Sequence, residues 1–169
     1  EFEGMIKVEG EDGLRAFDFQ TRNRRPPRDP VNALLSFAYS LLTRDLTIVC
    51  HAVGFDPFVG FYHQPRFGRP ALALDLMEGF RPLVADSAVL TAINTRMVSA
   101  GDFLRAGDAV TMSQSGRTGF IRAYEQRMDQ LVTHPVFGYR ISYRRVLEVQ
   151  ARLLARFVPG EIPAYPGFE

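Results

Sequence analysis

Residues 29–54, DPVNALLSFAYSLLTRDLTIVCHAVG, decide the fold class. Asp29 can accept from the open N–H groups of a helix start, and Pro30 presets φ at the first helical position. Beyond them Leu34, Leu35, Phe37, Ala38, Leu41, Leu42 and Val49 surround much of the helix, and Gly54 ends it. Such a helix is expected at the centre, packed by others. Upstream, Thr21–Arg28 is a basic arm broken by prolines, carrying Arg22, Arg24, Arg25 and Arg28 with no acid. Residues 1–13 are acidic and glycine-bearing and read as irregular, and Leu14–Gln20 (LRAFDFQ) alternates enough for a short strand.

Downstream, GFDPFVGFYHQPRFGRP (54–70) is a loop dense in glycine, proline and aromatics, the kind of long loop that often carries function. A second helix is expected from Ala71 to Val98, kinked or divided just after Phe80 by Pro82. Gly101–Gly107 reads as a connection and Asp108–Gly116 as a short extended segment. Thr118–Val132 and Tyr139–Phe157 read as helices, and the proline-rich tail 159–169 as an extended surface strap. The expected architecture is mainly α, with residues 1–21 an irregular leader and 22–169 one helical domain.

At 169 residues, 46% hydrophobic and 12% aromatic, the chain suits a globular domain with its own core. No apolar run is read as long enough to span a bilayer, no signal-peptide pattern opens the chain, and no membrane association is expected. Cys50 is the single cysteine, so no internal disulfide forms, and a reducing cytoplasm is compatible with it. Following Leu46, Ile48 and Val49, Cys50 reads as a small core residue. Every basic residue except Lys7 is arginine. A GC-rich genome would produce that bias, and so would recognition of phosphate by guanidinium forks.

His63 ends the aromatic loop, and Asp75 and Glu78 follow on one helix face, three apart. An imidazole nitrogen and two carboxylates can hold Mg²⁺ or Mn²⁺ with positions left for water and a phosphate. Arg66, Arg69 and Arg81 supply positive charge for a phosphodiester backbone. By spacing alone a bland explanation stands beside this: a loop histidine, and an acidic pair in which Asp75 favours the helix N-terminal dipole. Against it, Asp75 and Glu78 interrupt an apolar stretch, ALALDLMEGF, where a buried carboxylate needs a partner.

The stretches DPVNALLSFAYSLL (29–42), GFDPFVGFYHQPRFGRPALALDLMEGFRP (54–82), Tyr124–Glu125 and QARLLARFVPGE (150–161) closely resemble the CRISPR-associated spacer integrases, the first of the CRISPR-associated protein families. The resemblance runs from about Arg22 to the C-terminus. It implies a metal-dependent DNA endonuclease and integrase that inserts foreign DNA fragments as spacers into a CRISPR array, in antiviral defence. It also implies a helical catalytic domain that follows a dimer-forming β-domain. His63 and Glu78 match metal ligands, and Asp75 matches a second acidic position close to the metal. Asn32 and Tyr39 fall in the helical motif lining the catalytic region, where packing or capping roles would also explain them. Arg66 and Arg81 match basic positions near the DNA. Implied partners are double-stranded DNA, the second CRISPR-associated protein, a fused or associated trimming nuclease and a second copy of the whole protein.

One departure matters. The family's first ligand, a glutamate, lies in a helical motif upstream of Pro30–Asn32, and Glu3–Gly4 lacks the helix that should follow it. The expectation is a C-terminal fragment from which the β-domain and one ligand are absent, inactive in isolation. Two other readings compete: a non-catalytic DNA-binding or assembly module, and, with little support, a small-molecule metallohydrolase.

Overall fold

In a computed structural model, described over residues 3–7, 17–64 and 66–168, helix α1 (Pro30–Val53) starts and stops where its caps require. The Asp29 carboxylate accepts from the Asn32 N–H at 2.8 Å, and the Asp29 carbonyl accepts from the Ala33 N–H at 3.0 Å. At the other end Gly54 takes φ 98°, its N–H reaching the His51 carbonyl at 3.1 Å while the Phe55 N–H reaches Cys50 at 2.9 Å. That is a Schellman close, and Phe55 packs back near Cys50 as such a close favours.

The central-helix expectation is met on one side only. Leu34, Leu35, Ala38, Leu41, Leu42, Leu46 and Cys50 are buried, whereas Ser40, Arg44, Ile48 and His51 are exposed. The sequence reading of membrane-span length is corrected here. By length and composition Pro30–Val53 is long and apolar enough to cross a bilayer, and 44% of that stretch is buried inside the protein. Such burial is typical of a core helix.

After the loop, α2 (Ala71–Phe80) passes into a π-helical turn, Arg81–Asp86, and then α3 (Ser87–Asn94). Pro82 lacks the N–H for a normal turn, so the spiral widens there, as expected, but it ends at Asn94 and not at Val98. Two hairpins follow that the sequence reading gave to other structure. Strands β1 (Phe103–Ala106) and β2 (Ala109–Met112) pair antiparallel, so the expected connection 101–107 is half strand. Helix α4 covers Gln114–Asp129, not Thr118–Val132. Strands β3 (Leu131–Thr133) and β4 (Arg140–Ser142) take the ends read as helical, and α5 (Tyr143–Phe157) begins at the Ser142 cap. Of the expected strand Leu14–Gln20, residues 14–16 lie outside the described set, and Phe17–Gln20 form no strand.

Packing divides the chain into two units, Glu1–Tyr39 with Ala85–Arg127, and Ser40–Val84 with Met128–Glu169. In the first, Phe17 meets Phe103 edge-on at 5.8 Å and Phe37 meets Phe120 at 5.8 Å. The Val110 N–H reaches the Pro27 carbonyl at 2.8 Å and ties the arm to β2. In the second, Cys50, Leu72 and Leu154 form a buried cluster joined by Phe55, Leu76 and Tyr165. Burying a leucine such as Leu154 contributes roughly 1.5–3 kcal/mol. The tail behaves as the strap expected of it: Tyr165 packs on that cluster and Phe168 stacks on Phe80 at 5.8 Å.

Candidate metal centre

Asp75 stands in the second turn of α2 with only 6% of its side chain exposed. A carboxylate so placed needs donors, and the aromatic loop supplies them. Its Oδ2 accepts the N–H groups of Phe61 at 2.6 Å and Tyr62 at 3.0 Å. Its Oδ1 accepts the His63 N–H at 3.0 Å and faces His63 Nδ1 at 2.5 Å. Burial pushes the Asp75 carboxyl up, but the Tyr62 N–H, the His63 imidazole and the other loop N–H groups outweigh it and hold the group below the usual carboxylate range. Gly60 makes the fit possible, since a Cβ there would lie 2.7 Å from Asp75 Oδ2 and 2.8 Å from Ala71 Cβ.

The consequence for His63 is a matter of proton placement. An ionised carboxylate only accepts, so Nδ1 carries the hydrogen and the Nε2 lone pair is left for another partner. Carboxylate–imidazole pairs of this kind fix the ring and raise its basicity toward a metal. All the acceptor positions of Asp75 are meanwhile engaged within the loop.

Glu78 lies one turn further along α2, 51% exposed, and pairs with Arg81 Nη1 at 2.8 Å. A surface pair of that spacing contributes only about 0.2–0.5 kcal/mol, so a cation could displace it. The structure thus joins His63 to Asp75 and Glu78 to Arg81. Among the described residues no group of three histidine, cysteine or acidic side chains gathers to hold an ion. An imidazole nitrogen with one carboxylate suits a borderline divalent ion such as Mn²⁺ and, less well, oxygen-preferring Mg²⁺. The donor set fits such an ion but does not complete its shell.

Arg66 and Arg69 face each other in a tight turn, the Arg69 N–H donating to the Arg66 carbonyl at 2.9 Å. Asn32 and Tyr39 sit in different surroundings. Asn32 is fully buried. Its Oδ1 accepts from Arg22 Nη1 at 2.7 Å and the Asn23 N–H at 3.0 Å, while Nδ2 donates to the Thr21 carbonyl at 2.8 Å and Asp29 at 2.6 Å. The Tyr39 hydroxyl donates to Asp86 at 2.7 Å, with the Arg22 guanidinium 5.4 Å from its ring centre. These contacts lock the arm onto α1, so Arg22 is a structural member of the basic cluster. Sequence reasoning missed Gly60 and the loop N–H groups as parts of the site. A glycine before two aromatics and a histidine was the only visible signal.

The model of the family described as CRISPR associated protein Cas1 matches residues 2–126. A CRISPR-associated exonuclease Cas4/endonuclease Cas1 fusion from Geobacter sulfurreducens is 62% identical over 167 residues, covering 99% of this chain and 30% of that protein. Among solved structures, a Cas1 protein from Thermotoga maritima gives a TM-score of 0.82 at 26% identity, over 99% of this chain and 50% of the other. A casposase bound to its integration product gives 0.79 at 25% identity, over 87% and 44%. The chain spans half or less of the length of each of these relatives. Identity of that extent over nearly every residue, on a mainly α framework shared with these structures, places the chain in the Cas1 family of CRISPR-associated proteins.

Proposed function

We propose that this chain supplies part of the catalytic centre of a divalent-metal-dependent DNA endonuclease and integrase, one that inserts foreign DNA fragments into a CRISPR array. The observation that carries the reading is the His63–Asp75 pair, which frees Nε2 of a rigidly held imidazole beside a glutamate-bearing helix. His63 and Glu78 would hold the ion, Mg²⁺ or Mn²⁺. Asp75 acts as the positioning carboxylate, since its acceptor sites are already used by the loop. Residues 22–169 form the helical catalytic part, and the remaining ligand glutamate belongs outside this chain.

The reaction fitting such a site is transesterification. The 3′-hydroxyl of the incoming DNA loses its proton and bonds to phosphorus, the bond from phosphorus to the 3′-oxygen of the array strand breaks, and that oxygen takes up a proton. A bound divalent ion supplies charge neutralisation to the phosphoryl oxygens and eases loss of the hydroxyl proton. Arg66, Arg69 and Arg81 hold the backbone without reading sequence. Asn32 and Tyr39 act by fixing α1 and the arm. Double-stranded DNA, the second CRISPR-associated protein, a second copy of the intact protein and a trimming nuclease are the partners in this reading, and the cytoplasm its location. The likeness to a Cas4/Cas1 fusion supports the nuclease.

A second reading, a non-catalytic DNA-binding or assembly module, is favoured by the incomplete donor set. Integration of a labelled DNA fragment by the intact protein with Mn²⁺ separates the two. Loss of integration in both His63→Ala and Glu78→Ala, with folding and DNA binding retained, supports catalysis. Full activity in either variant would sink the site assignment. The isolated chain is expected to cleave DNA little or not at all.

A further inference from the structure

We propose that the turn of loop before α2 is a stacking site for unpaired nucleobases, with Tyr62 and Phe67 as the aromatic faces and Arg66 and Arg69 meeting the neighbouring phosphates. This deepens, and rests on, the reading of the chain as part of a DNA-processing enzyme. Phe58, Val59, Phe61, Tyr62 and Phe67 are all exposed, Tyr62 to 89% and Phe67 fully. Single exposed rings need no explanation, but a run of them within ten residues marks a surface meant to be covered.

The backbone beneath the rings is held firmly. Asp75 takes the N–H groups of residues 61, 62 and 63 together, and the Leu72 N–H donates to the Pro57 carbonyl at 2.9 Å. Phe67 occupies the turn closed between Arg66 and Arg69, with Gly68 at φ 70°. Rings carried on a preorganised backbone lose little freedom on binding, which favours a binding role over a mobile connection.

Charge selects the occupant. No acidic residue lies between Asp56 and Asp75, whereas Arg66 and Arg69 both do. Among the described residues neither arginine forms an ion pair. Flat faces interleaved with open guanidinium groups suit a chain of bases and phosphates. A duplex keeps its base faces stacked on each other, so such a site takes bases that are unpaired or frayed. Tyr62 adjoins His63 in the chain, which puts the stacked base beside the candidate metal ligand. A DNA end with unpaired bases would thereby be held for reaction in preference to a blunt one.

The test uses the intact protein and oligonucleotides carrying 2-aminopurine at an unpaired end, whose fluorescence falls when the base stacks on a ring. The wild type should bind and quench the probe. Tyr62→Ala and Phe67→Ala should each weaken binding of the unpaired end about tenfold and restore fluorescence, with blunt-duplex affinity unchanged. Tyr62→Phe should keep both properties. Alanine variants that bind and quench as the wild type does would overturn the stacking site while leaving the DNA reading intact. A wild type that binds no DNA of either form would overturn both. Alanine variants that instead change self-association would make the rings a protein interface and overturn the proposal.

Discussion

Two carboxylates in this chain do the same thing to different effect. Asp29 holds Asn32, and Asp75 holds His63. Around Asn32 every donor and acceptor of the side chain is spent on the protein and none reaches solvent. Around His63 the carboxylate is saturated, but the imidazole keeps Nε2 unspent and 27% of the side chain is exposed. A closed network fixes structure, whereas an equally tight one with a single donor atom left over prepares chemistry. The comparison assigns Asn32 to the frame and His63 to the site, although one family resemblance pointed to both.

The variants that could break this comparison differ in size of effect. Asn32→Ala should be the most costly, since it leaves Arg22, Asp29 and the Asn23 N–H short of a buried partner, an effect of about 2–3 kcal/mol. Denaturant unfolding would read that loss. At saturating Mn²⁺ the surviving folded protein should keep its metal response. Gly60→Ala should cost about 1–3 kcal/mol through the Asp75 clash. It should also weaken Mn²⁺ binding, which a merely structural glycine would not do. Conversely, Arg81→Ala should move stability by less than about 0.5 kcal/mol, because the Glu78 pair lies in solvent. A loss of several kcal/mol there would make Glu78 a frame residue.

His134 sharpens the contrast from outside both regions. It is buried against Phe137, Tyr139 and Phe168, and burial pushes its imidazole below the ordinary value. Above about pH 6.5 both folded and unfolded chains hold it neutral. Below that pH the unfolded chain takes up the proton first, so stability falls with pH until the folded value is passed. His134→Phe should flatten that fall in urea titrations between pH 7 and 5, and an unchanged slope would contradict the burial argument. Cys50, its thiol pushed up to about 11 by burial, should resist thiol reagents at pH 8 until denaturant is added.

Local signals were the legible ones. The Asp29 cap, the Gly54 stop, the break after Phe80 and the tail strap all follow from residues acting on their own neighbours. The hairpins 103–112 and 131–142 did not, because strands of three or four residues leave no periodicity to read, and pairing partners decide them. At the site, the spacing of His63, Asp75 and Glu78 was visible and the resemblance sharpened it. The work of Asp75 was hidden because its partners are mostly backbone N–H groups, which every residue but proline carries. Asn32 was hidden for a similar reason, since burial of a polar residue shows only when its partners are in place.

Mn²⁺ binding by the intact protein, measured calorimetrically for the wild type, His63→Ala and Asp75→Asn, tests most directly whether Asp75 serves the metal through His63. The account predicts that His63→Ala removes high-affinity binding and that Asp75→Asn weakens it roughly 10- to 100-fold without abolishing it. Wild-type affinity in Asp75→Asn would contradict the positioning role, and wild-type affinity in His63→Ala would contradict the site.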